Sequence, residues 1–368
     1  MSRMERNAQN QILNEEARKK RKGIISKILN GMTSLVIVGG IVGLFLMYGP
    51  YTGFRDWYIT TAMTTMTHKY LATWFYSEET INDVLSRNRM VEIDSVTDPS
   101  LVTVTSATGN YTYSSETERE ILERDPDHPD YKIIEISGKS YTGYVAFVYD
   151  PSKIKTLVTA NLNKSGQYVT RMAQDRNAVL AINGGFFIDL KEDRSGGTPQ
   201  GITITNGKVI TDRPYTGEGG LVGFDNNNRL IIGKINSTKV KSMNIRDAVT
   251  TGPFLIVNGQ ASTVLGNGGW GTAPRTAIGQ REDGVVIFVV VDGRRVGKPG
   301  ASMTQLIEIM KKYGAVNAAA LDGGTSSVMV ENYKILNDPI DSDGKHKTRP
   351  VATGFGVIID EKKNTNNK

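Results

Sequence analysis

The sequence predicts an α+β fold, a mixed β-sheet with few flanking helices, preceded by one N-terminal transmembrane helix. Residues 31–53 form an apolar run without a charged residue, long enough for a helix to cross a bilayer. From residue 131 onward, short strand-like runs alternate with turns that contain Gly or Asn. Because the clearest helical pattern of that part is confined to residues 302–313, we expect strands to dominate the folded domain.

The N-terminal segment has the charge distribution of a membrane anchor. Residues 1–30 contain eight Lys and Arg against three Glu, and this difference of +5 is most of the formal net charge of +6. Basic residues before an apolar span favour a cytoplasmic N-terminus and an extracellular C-terminal domain. A cleaved signal peptide is the alternative, but no A-x-A-like site follows the apolar run. We therefore expect a single-pass protein of the cell membrane with residues 1–30 as its cytoplasmic tail.

The residues after the span are expected to connect it to the folded domain. Residues 54–90 are rich in Trp, Tyr and Phe, and such rings favour the headgroup zone of a bilayer. We expect a membrane-proximal helical segment there, although the same rings are typical of a face buried against protein. Residues 91–130 are polar, with a Pro-containing turn at 125–129, and are predicted to be a linker.

The folded domain is expected at residues 131–360, before a polar tail at 361–368. Asn206-Gly207 predicts a type I′ hairpin, because both central residues of that turn need a positive φ. Asn258-Gly259 follows another strand-like run in the same way. The other strand-like runs are residues 132–136, 144–149, 178–182, 202–205, 208–211, 221–224, 230–232, 255–257 and 285–291.

Residues 302–313 predict a helix. Ser302 is a suitable N-cap, and Gln305 stands at the reciprocal position of a capping box. Apolar residues then repeat at helical spacing, and Gly314 ends the pattern. The helix leads into a strand-like run at residues 316–321.

Asp322 directly follows this run and opens a loop of glycines and hydroxyl residues. The two glycines let the backbone turn sharply and bring its N–H groups close to a ligand, and the hydroxyls add donors. This combination predicts a cradle for a phosphorylated sugar beside a carboxylate, although a glycine turn with its usual Asp and Ser neighbours has the same composition. The loop residues expected to bind substrate are Gly323, Gly324, Thr325, Ser326 and Ser327.

Further Gly-punctuated motifs accompany this loop. Together and in this order they resemble the phosphodiester glycosidase family, which includes the enzyme that removes N-acetylglucosamine from its phosphodiester link to mannose, and bacterial proteins related to exopolysaccharide. The resemblance covers about residues 131–360 and implies a hydrolase acting on phosphodiester-linked sugars. One departure is Thr325, where the family commonly has a third glycine. The motifs are Asn183-Gly184-Gly185-Phe186-Phe187, Thr251-Gly252-Pro253-Phe254-Leu255, Pro274-Arg275-Thr276-Ala277-Ile278-Gly279, Asp292-Gly293-Arg294, the Asp322 loop and residues 349–356.

Hydrolysis of a glycosidic bond usually takes two carboxylates beside the anomeric carbon. Asp292 and Asp322 are the predicted catalytic pair, because each ends an apolar strand-like run and precedes glycine. Asp189 and Glu218 are reserve candidates. Each of these acids is also suited to capping a helix or bracing a turn, and a pair of strand-end aspartates is also able to hold Ca²⁺ or Mg²⁺.

Arginines should matter more here than in ordinary glycosidases, because a departing phosphate monoester has its second pKa near 6 and leaves as a stable anion. Arg275 and Arg349 lie inside the motifs, and a guanidinium can bind phosphate through two hydrogen bonds. Asn183 and Gly184 are expected to contact the sugar. The two neighbouring phenylalanines are expected under the sugar face or in the core. Arg294 and Arg295 are weaker candidates for the phosphate.

Composition excludes several other classes of site. The chain has no Cys, which removes disulfides, thiolate nucleophiles and Cys-based zinc sites. Its three His residues are dispersed, and only His346 lies near a predicted site residue. Outside the N-terminal tail the chain is nearly neutral, so nucleic-acid binding is not expected despite the pI of about 9.2. No cofactor is expected, apart from a divalent cation that the sequence leaves open.

The sequence therefore predicts a membrane-anchored extracellular hydrolase that cleaves a sugar-1-phosphodiester of a cell-envelope polymer or exopolysaccharide. Its expected partners are a phosphorylated glycan and, through the N-terminal helix, the membrane. Two alternatives stay open at this stage. One is a non-catalytic glycan-binding or assembly protein of the envelope, and the other is a phosphodiesterase that cleaves the P–O bond.

Overall fold

The computed structural model describes residues 3–64, 68–105, 113–188 and 196–359. The chain divides into two compact units, Met1–Val84 and Leu85–Lys368. Each unit is described by itself below.

The N-terminal unit is helical. Helix α1 continues to Tyr48 and ends where Gly49 and Pro50 follow, because proline has no N–H to continue the helix. Its part Asn14–Tyr48 is long and apolar enough to cross a membrane, a property that a signal sequence near the N-terminus shares. The end at Tyr48 lies inside the predicted span of residues 31–53. The helices are α1 (Arg3–Tyr48), α2 (Thr52–Met63), α3 (Tyr70–Thr73) and α4 (Glu78–Arg87), of which α4 continues past Val84.

Aromatic side chains join the first three helices. The Tyr58 hydroxyl donates to the Leu71 carbonyl at 3.1 Å, and the Tyr76 hydroxyl donates to the Met47 carbonyl at 3.0 Å. Trp74, in contrast, is 73% exposed. Some of the aromatic residues predicted to be membrane-proximal are thus used inside the helical unit, and others face outward.

The second unit is built mainly from antiparallel ladders in the residues that the structure describes. Its three larger sheets have the strand orders β14-β13-β18-β16-β17-β3-β2, β20-β19-β5-β21-β4 and β11-β10-β12-β8-β9, and two small sheets are β1-β15 and β6-β7. The strands are β1 (Met90–Val91), β2 (Tyr131–Ser137), β3 (Thr142–Val148), β4 (Ile154–Val158), β5 (Ala178–Asn183), β6 (Phe187–Ile188), β7 (Thr198–Pro199), β8 (Ile202–Thr205), β9 (Lys208–Asp212), β10 (Gly220–Asp225), β11 (Leu230–Gly233), β12 (Ile245–Thr251), β13 (Phe254–Val257), β14 (Gln260–Ala261), β15 (Thr263–Val264), β16 (Arg275–Arg281), β17 (Val286–Val291), β18 (Ala315–Ala320), β19 (Met329–Glu331), β20 (Lys334–Ile335) and β21 (Thr353–Ile358). The helices are α5 (Glu116–Leu122), α6 (Val169–Arg176), α7 (Ser237–Ser242) and α8 (Met303–Lys312).

The core is layered between helices and sheets. Helix α8 packs Leu306 and Met310 against one face of the seven-stranded sheet, where they meet Val289. The opposite face, with Phe288, packs on the two five-stranded sheets, and α6 covers the far side of the sheet that contains β5. Alternating strand residues therefore serve different cores, as strand geometry requires. The predicted α+β class is confirmed.

The predicted hairpin at Asn206-Gly207 and the predicted N-terminus of α8 are both found in the structure. Asn206 and Gly207 have φ of 50° and 73°, as a type I′ turn between β8 and β9 requires. Ser302 caps α8 and forms a capping box with Gln305. Both features could be predicted from the sequence because a few adjacent residues determine them.

Residues 91–130 are not a free spacer in the parts that the structure describes. Strand β1 pairs with β15, and the Thr97 amide donates to the Ile232 carbonyl at 3.0 Å. Val102 and Ile121 are buried. The prediction of a linker was wrong there because isolated apolar residues among polar neighbours carry the packing, and they give no periodic pattern.

Candidate functional site

Backbone hydrogen bonds bring the Gly-containing motifs together at one end of the strands. The Leu321 amide donates to the Thr276 carbonyl at 2.8 Å, and the Asp322 amide donates to the Gly184 carbonyl at 3.0 Å. The Gly184 amide in turn donates to the Thr353 carbonyl at 2.9 Å. The loops after β5 and β18 and the first residues of β16 and β21 therefore meet at a common edge.

Asp322 forms an ion pair with Arg349 at this edge. The Arg349 Nη2 lies 3.0 Å from the Asp322 Oδ2, and its Nε donates to the Ser326 Oγ at 2.7 Å. The guanidinium also lies over the ring of Phe187, 4.5 Å from its centre. Because the side chains of Asp322 and Arg349 are 14% and 28% exposed, the pair is held firmly and remains open to a ligand.

A second arginine, Arg294, follows β17 and contacts the Asp322 loop. Its Nη1 donates to the Thr325 Oγ1 and to the Ile340 carbonyl, both at 2.7 Å. Gly324 has a φ of 63°, a conformation that suits glycine, and a Cβ at that position would lie 3.2 Å from the Arg294 Nη2. Thr325 therefore anchors this arginine by means of the side chain that a third glycine would lack.

A third arginine, Arg275, is almost fully buried. Its Nε donates to the Ala301 carbonyl at 3.1 Å, and its Nη2 donates to the carbonyls of Trp270 at 2.6 Å and Gly271 at 2.8 Å. A Cβ on Gly323 would lie 3.7 Å from its Nη1. Burial lowers the pKa of Arg275 to about 10, so the guanidinium stays charged at neutral pH. In the described ranges no acidic side chain pairs with it.

The loop around Asp322 is thus rich in positive charge. Burial lowers the pKa of Arg294, and the nearby charge of Arg349 lowers it further. Of the three guanidinium groups, Arg349 forms the ion pair with Asp322, while Arg294 is also influenced by the carboxylate of Asp341. Such an arrangement favours an anion with several acceptor oxygens, for which phosphate is well suited.

Asn183 was predicted to contact the sugar, but its side chain is fully buried. Its Nδ2 donates to the Asp322 carbonyl at 2.6 Å, and its Oδ1 accepts from the Thr276 hydroxyl at 2.7 Å and from the Val328 amide at 3.2 Å. The amide therefore holds the Asp322 loop in place. Asn183 is the last residue of β5 and its side chain is buried, and the sequence alone does not distinguish such a position from an exposed strand end.

Gly184 and Ser327 also lie inside the packing. A Cβ on Gly184 would approach the Thr353 Oγ1 to 2.8 Å, so glycine is needed there for close contact between β5 and β21. Ser327 is 1% exposed, and its hydroxyl has no hydrogen-bond partner in the part of the chain that the structure describes. Of the two neighbouring phenylalanines, Phe187 is core and Phe186 is partly exposed.

Asp292 does not pair with Asp322 in the described residues. Its Oδ1 accepts from the Asn337 Nδ2 at 2.8 Å, and both of its oxygens lie 3.2 Å from the Asp338 amide. The connection to the Asp322 loop runs through Asn337, whose Nδ2 also donates to the Ser327 carbonyl at 3.3 Å. Strand β16 stands between β17 and β18, so two strand spacings, about 10 Å, separate the strand ends.

The Asp292 carboxylate instead faces a separate cavity of about 430 Å³. The Arg295 Nη2 lies 4.0 Å from its Oδ2, and burial raises the pKa of this aspartate. His346, expected near Arg349, lies with its Nδ1 2.6 Å from the Asp338 Oδ1. The cavity is lined by Glu135, Ile136, Ser137, Thr142, Gly143, Tyr144, Asp292, Arg295, Leu336 and Asp338.

Glu218 lies beside an aromatic wall. Its Oε2 accepts from the Trp270 Nε1 at 2.7 Å, and the Trp270 ring is nearly parallel to that of Phe186, with 6.2 Å between centres. The Tyr215 hydroxyl donates to the Glu218 carbonyl at 2.5 Å. Burial raises the pKa of the Glu218 carboxyl. The other reserve candidate, Asp189, lies outside the described residues.

Glu92 fixes the loop that carries Glu218. Its Oε2 accepts from the Gly219 amide at 2.9 Å, and its Oε1 accepts from the Phe254 amide at 2.7 Å. This glutamate belongs to the segment predicted to be a linker. That segment therefore contributes directly to the walls of the site.

In the described ranges, no three His, Asp or Glu side chains come together as a metal site. The proposed pairing of Asp292 with Asp322 around a cation likewise has no counterpart in the contacts described above.

Comparison with known proteins decides the family. Residues 176–358 match the family model described as phosphodiester glycosidase. The chain carries a phosphodiester glycosidase domain. The resemblance inferred from the sequence motifs is thereby confirmed.

Two relatives place this phosphodiester glycosidase domain among known proteins. The SPbeta prophage-derived uncharacterized protein YomE of Bacillus subtilis (strain 168) is 29% identical over 179 residues, which are 46% of this chain. The chain spans only 27% of that relative's length. The catalytic domain of zebrafish N-acetylglucosamine-1-phosphodiester alpha-N-acetylglucosaminidase, auto-inhibited by its pro-peptide, is 18% identical with a TM-score of 0.54. That match covers 71% of this chain and 98% of the zebrafish chain, and it shows a shared fold.

Three residues at or near the Asp322 loop were not predicted, or were given a low rank, from the sequence. Arg294 was a weaker candidate, although it reaches the Asp322 loop. Trp270 lies in the Gly-rich segment 266–271, and this position is a signal by which the sequence points to it. Glu92 gave no signal, because it lies far from the motifs in the sequence.

Proposed function

We propose that the domain hydrolyses a glycosyl phosphodiester at the anomeric C–O bond and releases a sugar and a phosphate monoester. The observation that carries this proposal is the Asp322 loop, where one carboxylate lies among the guanidinium groups of Arg275, Arg294 and Arg349. Membership in the phosphodiester glycosidase family supports a hydrolase for this class of bond.

The reaction balances without a cofactor. The oxygen of a water molecule forms a bond to the anomeric carbon, and the bond from that carbon to the phosphate oxygen breaks. The electron pair of the broken bond stays on the phosphate, and the proton of the water passes to a base and then to solvent. Because the second pKa of a phosphate monoester is near 6, the leaving group needs no protonation at neutral pH.

The site residues have complementary roles in this reaction. The three arginines hold the phosphate and stabilise the charge that it gains as the bond breaks, which is where preorganised donors have their largest effect. Asp322 stabilises the positive charge that develops on the anomeric carbon. Asn183 keeps the Asp322 loop in position through its hydrogen bond to the Asp322 carbonyl.

The substrate we propose is a glycosyl phosphate of a cell-envelope polymer or exopolysaccharide. The name of the zebrafish relative supports N-acetylglucosamine as one sugar to test. The apolar helix Asn14–Tyr48 supports attachment to the cell membrane, and the basic residues before it support an extracellular catalytic domain.

The test uses the 368-residue chain, purified in detergent, on methyl phosphodiesters of α- and β-linked N-acetylglucosamine and glucose. We expect sugar release with at least one of them. Asp322→Asn should abolish it, while the control Asp175→Asn, on the surface helix α6, should keep it. Binding of all four probes without any product would contradict a catalytic role.

A further inference from the structure

A series of contacts connects Glu218 with the Asp322 loop. The Trp270 indole binds the Glu218 carboxylate, and the Trp270 carbonyl accepts from Arg275, whose Nη1 faces Gly323. A connected series of contacts thus leads from Glu218 to the residue after Asp322.

A second set of contacts leads to the same place. A Cβ on Gly252 would lie 2.9 Å from the Glu218 carbonyl, so the Glu218 loop rests on the turn after β12. The preceding residue, Thr251, donates its hydroxyl to the Ala320 carbonyl at 3.1 Å, two residues before Asp322. The loops that carry the two acids therefore lie at one edge, whereas Asp292 faces another cavity.

We propose that Glu218, and not Asp292, is the second catalytic carboxylate, and that it accepts the proton of the attacking water while Phe186 and Trp270 support the sugar ring. This inference rests on the proposed hydrolysis of a glycosyl phosphodiester. It adds the identity of the base and the surface on which the sugar lies.

The chemistry of the leaving group explains why the second carboxylate acts as a base. Because the phosphate departs as an anion, the one obligatory proton transfer is the removal of a proton from water. As the water oxygen bonds to the anomeric carbon, its proton moves to the Oε1 of the Glu218 carboxylate, since Oε2 accepts from Trp270, and the bonding electrons of the broken C–O bond remain on the phosphate. A later exchange with solvent returns the glutamate to its charged form.

The surroundings of Glu218 suit a base. Burial raises its pKa, and a base works best when its pKa is close to the working pH. Trp270 lowers the pKa through its hydrogen bond, so the two effects partly offset each other. The other charged or titratable groups that act on Glu218 are Glu92, which raises its pKa, Arg89 and Lys234, which lower it, and the Tyr215 hydroxyl on its own loop.

The aromatic wall gives the sugar a surface. Phe186, Tyr215 and Trp270 are partly exposed, so their faces are available to the C–H groups of a sugar ring. The ring of Trp270 is fixed on one side by Glu218 and on the other by Phe186. A sugar placed there has its anomeric carbon next to the arginine-rich loop.

The test is chemical rescue of Glu218→Ala in the 368-residue chain, in detergent, with the methyl phosphodiester that the wild type cleaves fastest. We expect sugar release to fall about 10²–10⁴-fold, the usual effect of losing a general acid or base. Azide needs no deprotonation, so its addition should restore turnover and give a glycosyl azide. The control Glu308→Gln, on the exposed side of α8, should behave as the wild type.

Two further variants keep the inference open to contradiction. Glu218→Gln tests the charge with the shape kept and should be equally inactive. Trp270→Phe keeps an aromatic ring but removes the indole N–H that donates to Glu218. The pKa of Glu218 should then rise, and the acidic limb of the pH profile of kcat should move to higher pH. If Trp270 served folding alone, the acidic limb of the pH profile of kcat would not move.

The outcomes separate the two proposals. An active wild type together with active Glu218 variants overturns the base and leaves the proposed function standing. Inactive variants that azide does not rescue also overturn it. A wild type that releases no sugar from the probes overturns both, because the base has no reaction to serve.

Discussion

The carboxylate of Asp322 and the guanidinium of Arg349 lie 3.0 Å apart, although 26 residues separate them in the sequence. Arg349 also donates to Ser326 and covers the ring of Phe187. The ion pair thus joins the loop after β18 to the segment before β21, and these contacts fix the orientation of the guanidinium.

Arg349→Lys should reduce kcat/KM by about 10²-fold, because a lysine keeps the charge but cannot donate in parallel to Asp322 and phosphate. Initial rates of sugar release over a range of probe concentrations would measure this. Arg171→Lys, on the surface of α6, is the matched control. Unchanged kinetics in Arg349→Lys would remove this arginine from the phosphate site.

Thr325→Gly should weaken substrate binding about tenfold, equivalent to about 1.4 kcal/mol, because Arg294 loses the hydroxyl that anchors it. Thr325→Ser keeps the hydroxyl and should bind as the wild type does. The measurement is KM for the preferred methyl phosphodiester. Equal KM values in the glycine and serine variants would show that the anchor is not used.

Asp292→Asn should retain sugar release within about threefold, while Asp322→Asn should not. The reason is that the Asp292 carboxylate is occupied by Asn337 and Asp338 in its own cavity. The side-chain NH₂ of an asparagine there would face the Asn337 Nδ2 or the Asp338 amide, which are themselves donors, so a buried hydrogen bond would be lost. Such a loss costs about 1–3 kcal/mol, and the melting temperature should therefore fall. Sugar release and thermal unfolding of the same samples decide between the two roles. Loss of activity without loss of stability would restore Asp292 to the catalytic pair.

The stability of the fold should depend on pH through Glu218. Since burial raises the pKa of its carboxyl above the ordinary 4.5, the folded state binds its proton more tightly than the unfolded state does. This contribution to stability is complete below the ordinary pKa and is lost as pH rises through the raised pKa. Glu218→Gln should therefore gain melting temperature relative to the wild type at pH 8 but not at pH 4. An equal difference at both values would mean that the pKa of Glu218 is not raised.

Features fixed by a few adjacent residues were predictable from the sequence. The hairpin at Asn206-Gly207, the capped helix α8 and the strand that leads to Asp322 follow from turn chemistry and helical spacing. The ordered motifs gave the family, and they do converge on one edge. Asp322 and Arg349, both predicted as site residues, form an ion pair in the structure.

The remaining features of the site could not be predicted, because they depend on the direction in which side chains point after the strands end. Asp292 and Asp322 have the same local sequence pattern, yet the intervening strand β16 and the contact with Asn337 direct Asp292 elsewhere. The buried role of Asn183 could not be predicted from the sequence, because its hydrogen-bond partners Thr276 and Val328 lie 93 or more positions away. Glu92 braces the site from a segment whose composition indicates only a spacer.

The most direct test of the central claim is hydrolysis of the preferred methyl phosphodiester by the 368-residue chain in ¹⁸O-labelled water, followed by mass spectrometry of both products. Cleavage at the anomeric C–O bond, guided by Asp322 and the three arginines, predicts that the label enters the sugar. Label in the phosphate monoester would show attack on phosphorus and would contradict the account.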